Sequence, residues 1–328
     1  MKYFIIGSNS FSGSSFIDYL LTKKQNVYGI SRSLNPNPIF LSYLKNKNIK
    51  KFKFKSLDIN KDASKIIKLI NSFRPNIIVN FASQGMVAES WVNPLDWYKT
   101  NLISQVKLIE GIKNFQFIEK YINFSTPEVY GSTKGQIKES FNFYPSTPYA
   151  ISRSAFDMHL NAYFNAYNFP IIYTRAANVY GSTQQLYRII PKTIFYFRSG
   201  KKICLHGSGK SKRSFIHISD VSKALYKISQ RGKLGNTYHI STDKIISIKK
   251  LVYEIAKIMK VKFADNVIYQ DDRLGKDYSY NLSSSKLIRN LKWNNSVDLK
   301  TGISEVIAWI DKNYDFIKKQ SFEYKHKK

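Results

Sequence analysis

A single cysteine, Cys204, leaves this chain unable to form an internal disulfide, so burial and hydrogen bonding must hold it together. Acidic residues are scarce as well: 22 Asp and Glu stand against 52 Lys and Arg, for a formal net charge of +30. No apolar run reaches the ~18 residues of a membrane span, and Met1 to Gly7 reads as a strand leading into glycine rather than a signal peptide. The expected location is therefore the cytoplasm. Helix-turn-helix, zinc-finger, K-homology and aromatic RNA-binding signatures are missing, as are metal-ligand spacing, repeats and low-complexity segments. Most of the basic residues are Lys, spread along the whole chain apart from short clusters such as Lys47 to Lys55 and Lys325 to Lys328. Such a diffuse positive field draws in anionic substrates without specifying nucleic acid.

What is present is a chain of 328 residues, 43% hydrophobic, enough for one large α/β domain or two unequal ones. Its most informative stretch runs from Tyr121 to Asp157. Tyr121 to Phe124 reads as a buried strand, with Ser125, Thr126, Pro127 and Glu128 at its end, where open parallel sheets bind ligands. Tyr149 and Arg153 follow at the start of a helical run, Ser152 to Ala166, four apart and so on one face. A phenol titrating near 10 is a poor base at neutral pH, but a fixed cation within ~4–6 Å favours the phenolate. Arg153 supplies that cation. Ser125 or Thr126 offers a hydroxyl to hold a reacting oxygen, and Glu128 a carboxylate for a second proton. The cluster suits oxidation of a secondary alcohol by hydride loss.

The N-terminus adds a phosphate loop. After the strand at residues 2–7 comes Gly7-Ser8-Asn9-Ser10-Phe11-Ser12-Gly13 and a helical run from Ser14 to Lys23. A strand, a tight glycine turn and a helix N-terminus cradle a pyrophosphate. Ser10 stands where a third glycine is usual. The second strand, Asn26 to Ile30, ends in Ser31-Arg32-Ser33, and the absence of an acid there tilts the cofactor expectation towards NADP over NAD. Further strands at Lys51 to Lys55 and Asn76 to Phe81 alternate with a helix over Ala63 to Phe73, which predicts right-handed crossovers and a parallel sheet. Asp58 and Ile59 lie where the adenine is expected, and Phe81, Ala82, Ser83 and Gln84 follow the fourth strand. Asn101, a polar residue in the helical run Trp97 to Ile112, either ties that helix to the catalytic strand end or is exposed.

Six ordered segments make the chain resemble the extended short-chain dehydrogenase/reductases, and within them the nucleotide-sugar 4,6-dehydratases. They are the glycine loop, FASQGMVAESW, STPEVYG with Tyr149 and Arg153, RAANVYGSTQQLYRIIP, GSGKSKRSFIHISDV and DDRLGKDYSYNLSSSKL. The resemblance implies that Tyr149 takes the sugar 4-hydroxyl proton, Thr126 orients that oxygen, Glu128 removes the C5 proton, and a nicotinamide lends and recovers a hydride. Gly7, Asn9, Ser10, Phe11, Gly13, Arg32, Asp58, Ile59, Phe81, Ala82, Ser83, Asn101, Tyr149 and Arg153 are the implied cofactor residues. Gln84, Asn178, Arg188, Arg213 and Arg273 are the implied substrate residues. Two departures stand out: Pro127, where many relatives carry an acid, and Arg153, where the family has Lys. His217 reads as a packed structural histidine.

The resulting expectation is a doubly wound parallel Rossmann sheet with a smaller C-terminal α/β substrate-binding domain. The first spans residues 1–175 plus about 210–245, with a returning strand near Asn236 to Ile240; the second spans 176–209 and 246–328. The expected activity is a nucleoside-diphosphate-hexose 4,6-dehydratase with recycled NAD or NADP, feeding deoxysugar synthesis. A homodimer through the helices near 95–113 and 150–166 is implied by the resemblance. An epimerase or decarboxylase of the same superfamily is the alternative, and a non-catalytic Rossmann protein with an anion- or nucleic-acid-binding surface a further one.

Overall fold

Lys2–Ile6 (β1) is apolar after its first residue, and every residue after Lys2 is buried, as a strand covered on both faces requires. A computed structural model describes residues 1–34, 36–272 and 277–327. Phe11–Thr22 (α1) starts three residues before the predicted Ser14, because Ser10 caps it: its Oγ accepts from the Gly13 amide at 3.1 Å. Asn26–Ser31 (β2), Phe52–Ser56 (β3), Ala63–Phe73 (α2) and Ile77–Asn80 (β4) follow. The chain continues through Pro94–Tyr98 (α3), Ser104–Ile112 (α4), Lys120–Ser125 (β5), Pro148–Tyr167 (α5) and Ile171–Ala176 (β6). Its second half holds Asn178–Tyr180 (β7), Ile189–Arg198 (α6), Ile203–His206 (β8), Lys212–His217 (β9), Ile218–Arg231 (α7) and Thr237–Ile240 (β10). Last come Ile245–Ser247 (β11), Ile248–Met259 (α8), Val267–Gln270 (β12), Ser279–Tyr280 (β13), Ser285–Leu291 (α9) and Leu299–Lys312 (α10).

Seven parallel strands, in the order β10-β6-β5-β4-β1-β2-β3, form the main sheet. The central strands β1, β4 and β6 are buried almost end to end, whereas β3, at the sheet's edge, alternates Phe52 and Phe54 with exposed Lys53 and Lys55. α1 and α7 cover one face with Phe16, Leu20, Val221 and Ile228, while α2, α4 and α5 cover the other with Ile66, Ile70, Leu108 and Leu160. Each such fully buried side chain contributes roughly 1.5–3 kcal/mol. The chain leaves β1 towards β2 and β3, then returns to its other side at β4. That reversal opens a crevice at the carboxyl ends of β1 and β4.

A second apolar cluster gathers α6, α8 and α10 around Ile194, Leu251, Ile255 and Val306. β9 runs through the polypeptide above it, pairing with β7, β11 and β13, and β8 pairs with β12. The turn after β5 meets this assembly at Arg213 of β9, whose charge acts on Glu128.

Candidate active site

At the reversal point, Gly7 has φ +82° and its position tolerates no side chain: a Cβ there would lie 2.8 Å from the Ala82 amide nitrogen. Gly13 is equally constrained, 2.3 Å from the Gly7 carbonyl. The two glycines let β1, the loop after β4 and the start of α1 close on one another. Ser10 does not replace a glycine by being small alone; its hydroxyl donates to the Gly7 carbonyl at 2.7 Å and fixes the turn. Asn9 braces the far wall, donating from Nδ2 to the Ser33 carbonyl at 3.0 Å.

Gly7, Asn9 and Ser10 line a cleft of about 240 Å³ that also takes in Arg32, Asp58, Ile59, Phe81, Ala82, Ser83 and Gln84, while Gly13 packs behind the loop against the Gly7 carbonyl. Phe11 is not among the lining residues; it is buried in the core under the loop. Arg32 donates from Nη1 to the Lys327 carbonyl at 2.9 Å. Asn101 is buried, not exposed, and ties its helix to the loop after β4 rather than to the end of β5. Its Oδ1 accepts from the Gln84 amide at 2.8 Å and its Nδ2 donates to the Gln84 carbonyl at 3.1 Å and to Ser152 Oγ at 3.0 Å. The π-helical turn Lys99–Ile103 between α3 and α4 carries this amide.

The catalytic candidates converge. Thr147 caps α5, accepting from the Ala150 amide at 3.2 Å, so the helix starts at Pro148 and includes Tyr149 from the outset. Thr126 caps the short turn after β5, and its hydroxyl bonds both the Glu128 carboxylate and Tyr149. Of the two hydroxyls available to the sequence reading, Ser125 is committed elsewhere: it donates to Asp157 Oδ2 at 2.7 Å. Arg153 donates from Nη2 to the Phe124 carbonyl at 2.5 Å, which holds it against the strand end.

The phenol does not titrate as the sequence predicts. Burial pushes the Tyr149 pKa up and the Glu128 charge adds to that rise; Arg153, the Thr126 hydrogen bond and Arg188 pull it down without overcoming the first two. Glu128 is also raised, by burial first, with Arg213 and Arg188 opposing and Asp277 reinforcing. A carboxyl held above its ordinary range is suited to exchange protons near neutral pH.

Arg213 is buried, stacks 4.3 Å over the Tyr280 ring, and gives its guanidinium to the main chain, donating to the Tyr278 carbonyl at 3.0 Å and the Asp277 carbonyl at 2.8 Å. Arg188 is exposed at the start of α6, its Nη2 near Gly85 across the mouth of the pocket. Asn178 opens β7 opposite Phe215 and is half-buried. Arg273 lies outside the described residues. His217 is buried, with Nδ1 2.9 Å from Ser219 Oγ.

Sequence reasoning missed what lies beneath. Asp157, eight residues after Tyr149, accepts from Asn123 at 2.8 Å and pairs with Arg175 Nη2 at 2.9 Å, both side chains wholly buried. Arg175 continues to Tyr130 Oη at 2.6 Å, and Tyr130 meets His239 Nε2 at 2.8 Å. The spacing of Tyr149, Arg153 and Asp157, four and four, was the available signal. Asp277 was the other omission: Ser132 and Ser146 donate to its Oδ1 at 3.2 and 3.0 Å, and Tyr280 donates to its Oδ2.

A phenol, a cation and a threonine-glutamate pair beside a glycine-lined crevice at a sheet's reversal point define an extended short-chain dehydrogenase/reductase. The chain belongs to the GDP-mannose 4,6 dehydratase family, whose sequence model matches residues 4–306. It is 32% identical over 273 residues to the dTDP-D-glucose 4,6-dehydratase of Bos taurus, covering 81% of this chain and 76% of that one. The structure of dTDP-glucose 4,6-dehydratase from Bacillus anthracis, in complex with NAD, superposes with a TM-score of 0.84 at 26% identity, covering 96% of this chain and 98% of that one. UDP-glucuronic acid 4-epimerase from Bacillus cereus, at 23% identity, 96% and 100% coverage and a TM-score of 0.85, shares the fold. No helix among the described residues is long and apolar enough to cross a membrane.

Proposed function

We propose that this protein is a nucleoside-diphosphate-hexose 4,6-dehydratase. The observation that carries the reading is the convergence of Thr126, Glu128 and Tyr149, with a raised Glu128 carboxyl and no second acid on the turn because position 127 is proline. A nicotinamide dinucleotide fits the cleft: the two glycines let the loop, the strand ends and the start of α1 pack closely, Gly7, Asn9 and Ser10 line the end suited to a pyrophosphate, and Arg32, Asp58 and Ile59 wall the adenosine end. When bound, it takes and returns the hydride. We take it to be NAD, which the Bacillus anthracis enzyme holds, rather than the NADP suggested by Arg32.

The chain's own residues do the proton work. Thr126 holds the sugar C4 oxygen, and Tyr149, once it has given up its own proton and stands as the phenolate, accepts the C4 hydroxyl proton as C4 becomes a ketone. That ketone acidifies C5; Glu128 removes the C5 proton, the C6–oxygen bond breaks, and the same carboxyl gives the proton to the departing oxygen, which leaves as water. C5 takes up a proton as C6 is reduced, balanced by the one that Tyr149 took from the C4 hydroxyl, so that water is the net loss. Arg188 and Arg213 face the cluster from the substrate side and attract the diphosphate. Leu95, Ile103, Ile151 and Met158, exposed on the outer faces of α3, α5 and the turn between α3 and α4, support a homodimer there; sedimentation as a monomer at micromolar concentration would remove that part.

The test is incubation with thymidine-, guanosine- and uridine-diphosphate hexoses, reading the alkaline absorbance of a 4-keto-6-deoxy sugar. One of the three is expected to give it. Recovery of only a C4 epimer, with no water lost, would contradict the reading.

A further inference from the structure

The segment Phe322–Lys327 crosses from the second apolar cluster to the rim of the dinucleotide cleft, and its contacts form a series. Phe322 is its anchor, buried and stacked 4.2 Å from Phe195, with Glu323 pairing to Lys192 at 2.7 Å. Tyr324 packs edge-on against Tyr187 and donates to Gln84 Oε1 at 3.3 Å. His326 lies flat on Trp97, 4.9 Å between ring centres and 13° from parallel, with Nε2 2.7 Å from Asp96 Oδ2. The Lys327 carbonyl then accepts from Gln84 Nε2 at 2.7 Å and from Arg32 Nη1 at 2.9 Å.

Gln84 and Arg32 both line the cleft, one on the loop after β4 and one on the loop after β2. A single carbonyl therefore spans the two lips, and both ends of the Gln84 amide are committed to this segment. We propose that Phe322–Lys327 is a gate over the dinucleotide, hinged at Phe322 and latched by His326 on Asp96 and Trp97, that must open for the cofactor to enter or leave. The inference rests on the cleft being the dinucleotide site. It suits the proposed chemistry, in which the cofactor ends each turnover as it began and gains nothing by exchanging. Lys325 and Lys327, both exposed, also add positive charge to a segment at the cleft's rim, which attracts an anionic dinucleotide. Opening such segments commonly limits ligand release.

Stopped-flow fluorescence with NADH on the full chain tests this, comparing the unaltered protein with His326→Ala, which loses both stack and latch, and Asp96→Asn, which keeps the stack. Binding and release rates are both expected to rise, about tenfold for His326→Ala and less for Asp96→Asn, with Kd little changed, since one hydrogen bond to a charged group corresponds to roughly that factor. Rates equal to those of the unaltered protein in both variants overturn the gate while leaving the cleft as the cofactor site. A tighter Kd with unchanged release overturns it too, marking the segment as a competitor for the cleft. Failure of the unaltered protein to bind NADH at all overturns the reading of the cleft and the gate with it.

Discussion

Proline at 127 leaves no second acid on the turn that carries Thr126 and Glu128, so in the proposed mechanism a single carboxyl both takes the C5 proton and releases it to oxygen. Its pKa governs the rate. Because Glu128 must be ionised to act as a base and burial holds it above the ordinary value of about 4.3, the acidic limb of kcat against pH is expected above that value. A limb at or below it would contradict the role. Tyr149 is the second decisive side chain. Its phenol is hydrogen-bonded to the Thr126 hydroxyl and feels the Arg153 charge, in a buried setting that raises its pKa, so it must lose its own proton before it can take the sugar's. For Tyr149→Phe, kcat is expected to fall by roughly 10²–10⁴-fold, the range of general acid–base contributions; near-normal turnover in that variant would remove Tyr149 from the chemistry.

At the scale of elements, the site is held by α5, β5 and β6: Asp157 on α5 accepts from Asn123 and Ser125 on β5 and pairs with Arg175 on β6. Both side chains are wholly buried, and Asn123, Ser125 and Tyr130 add hydrogen bonds to them. Replacing Asp157 with Asn leaves the guanidinium without its counter-charge, which is expected to cost about 3–5 kcal/mol of stability, measured by denaturant unfolding. A loss under 1 kcal/mol would show that the pair does not hold the elements. How legible these elements were follows from what sequence patterns encode. The parallel sheet was readable because β1, β4 and β5 are apolar runs bounded by glycine, proline or polar turns. The start of α5 was placed too late, since Thr147 caps through a hydroxyl whose partner is known only once the chain has folded. Thr126, Glu128, Tyr149 and Arg153 were legible as a set from spacing and resemblance together. The direction of Tyr149's pKa was not, because burial and the Glu128 charge depend on how strand and helix meet. Asn101 was visible as a polar residue in an apolar helix, but its hold on Gln84 needs a π-helical turn that spacing does not reveal. The Phe322–Lys327 segment reads only as a basic stretch.

Across the whole molecule, the net charge of +30 surrounds a cleft meant for doubly anionic ligands. Steering of this kind speeds encounter and is screened by salt, without deciding which sugar nucleotide is chosen. The main sheet supplies the cofactor crevice, the second cluster brings Arg188 and Arg213 over it, and the catalytic side chains sit where the two meet. In the proposed mechanism Glu128 performs the elimination after Tyr149 has enabled oxidation. Glu128→Gln, mixed with its sugar nucleotide and followed at 340 nm as well as for the 4-keto-6-deoxy product, tests it most directly. The expected result is reduced cofactor that accumulates and persists while no dehydrated product forms; product formation at the unaltered rate would contradict the account.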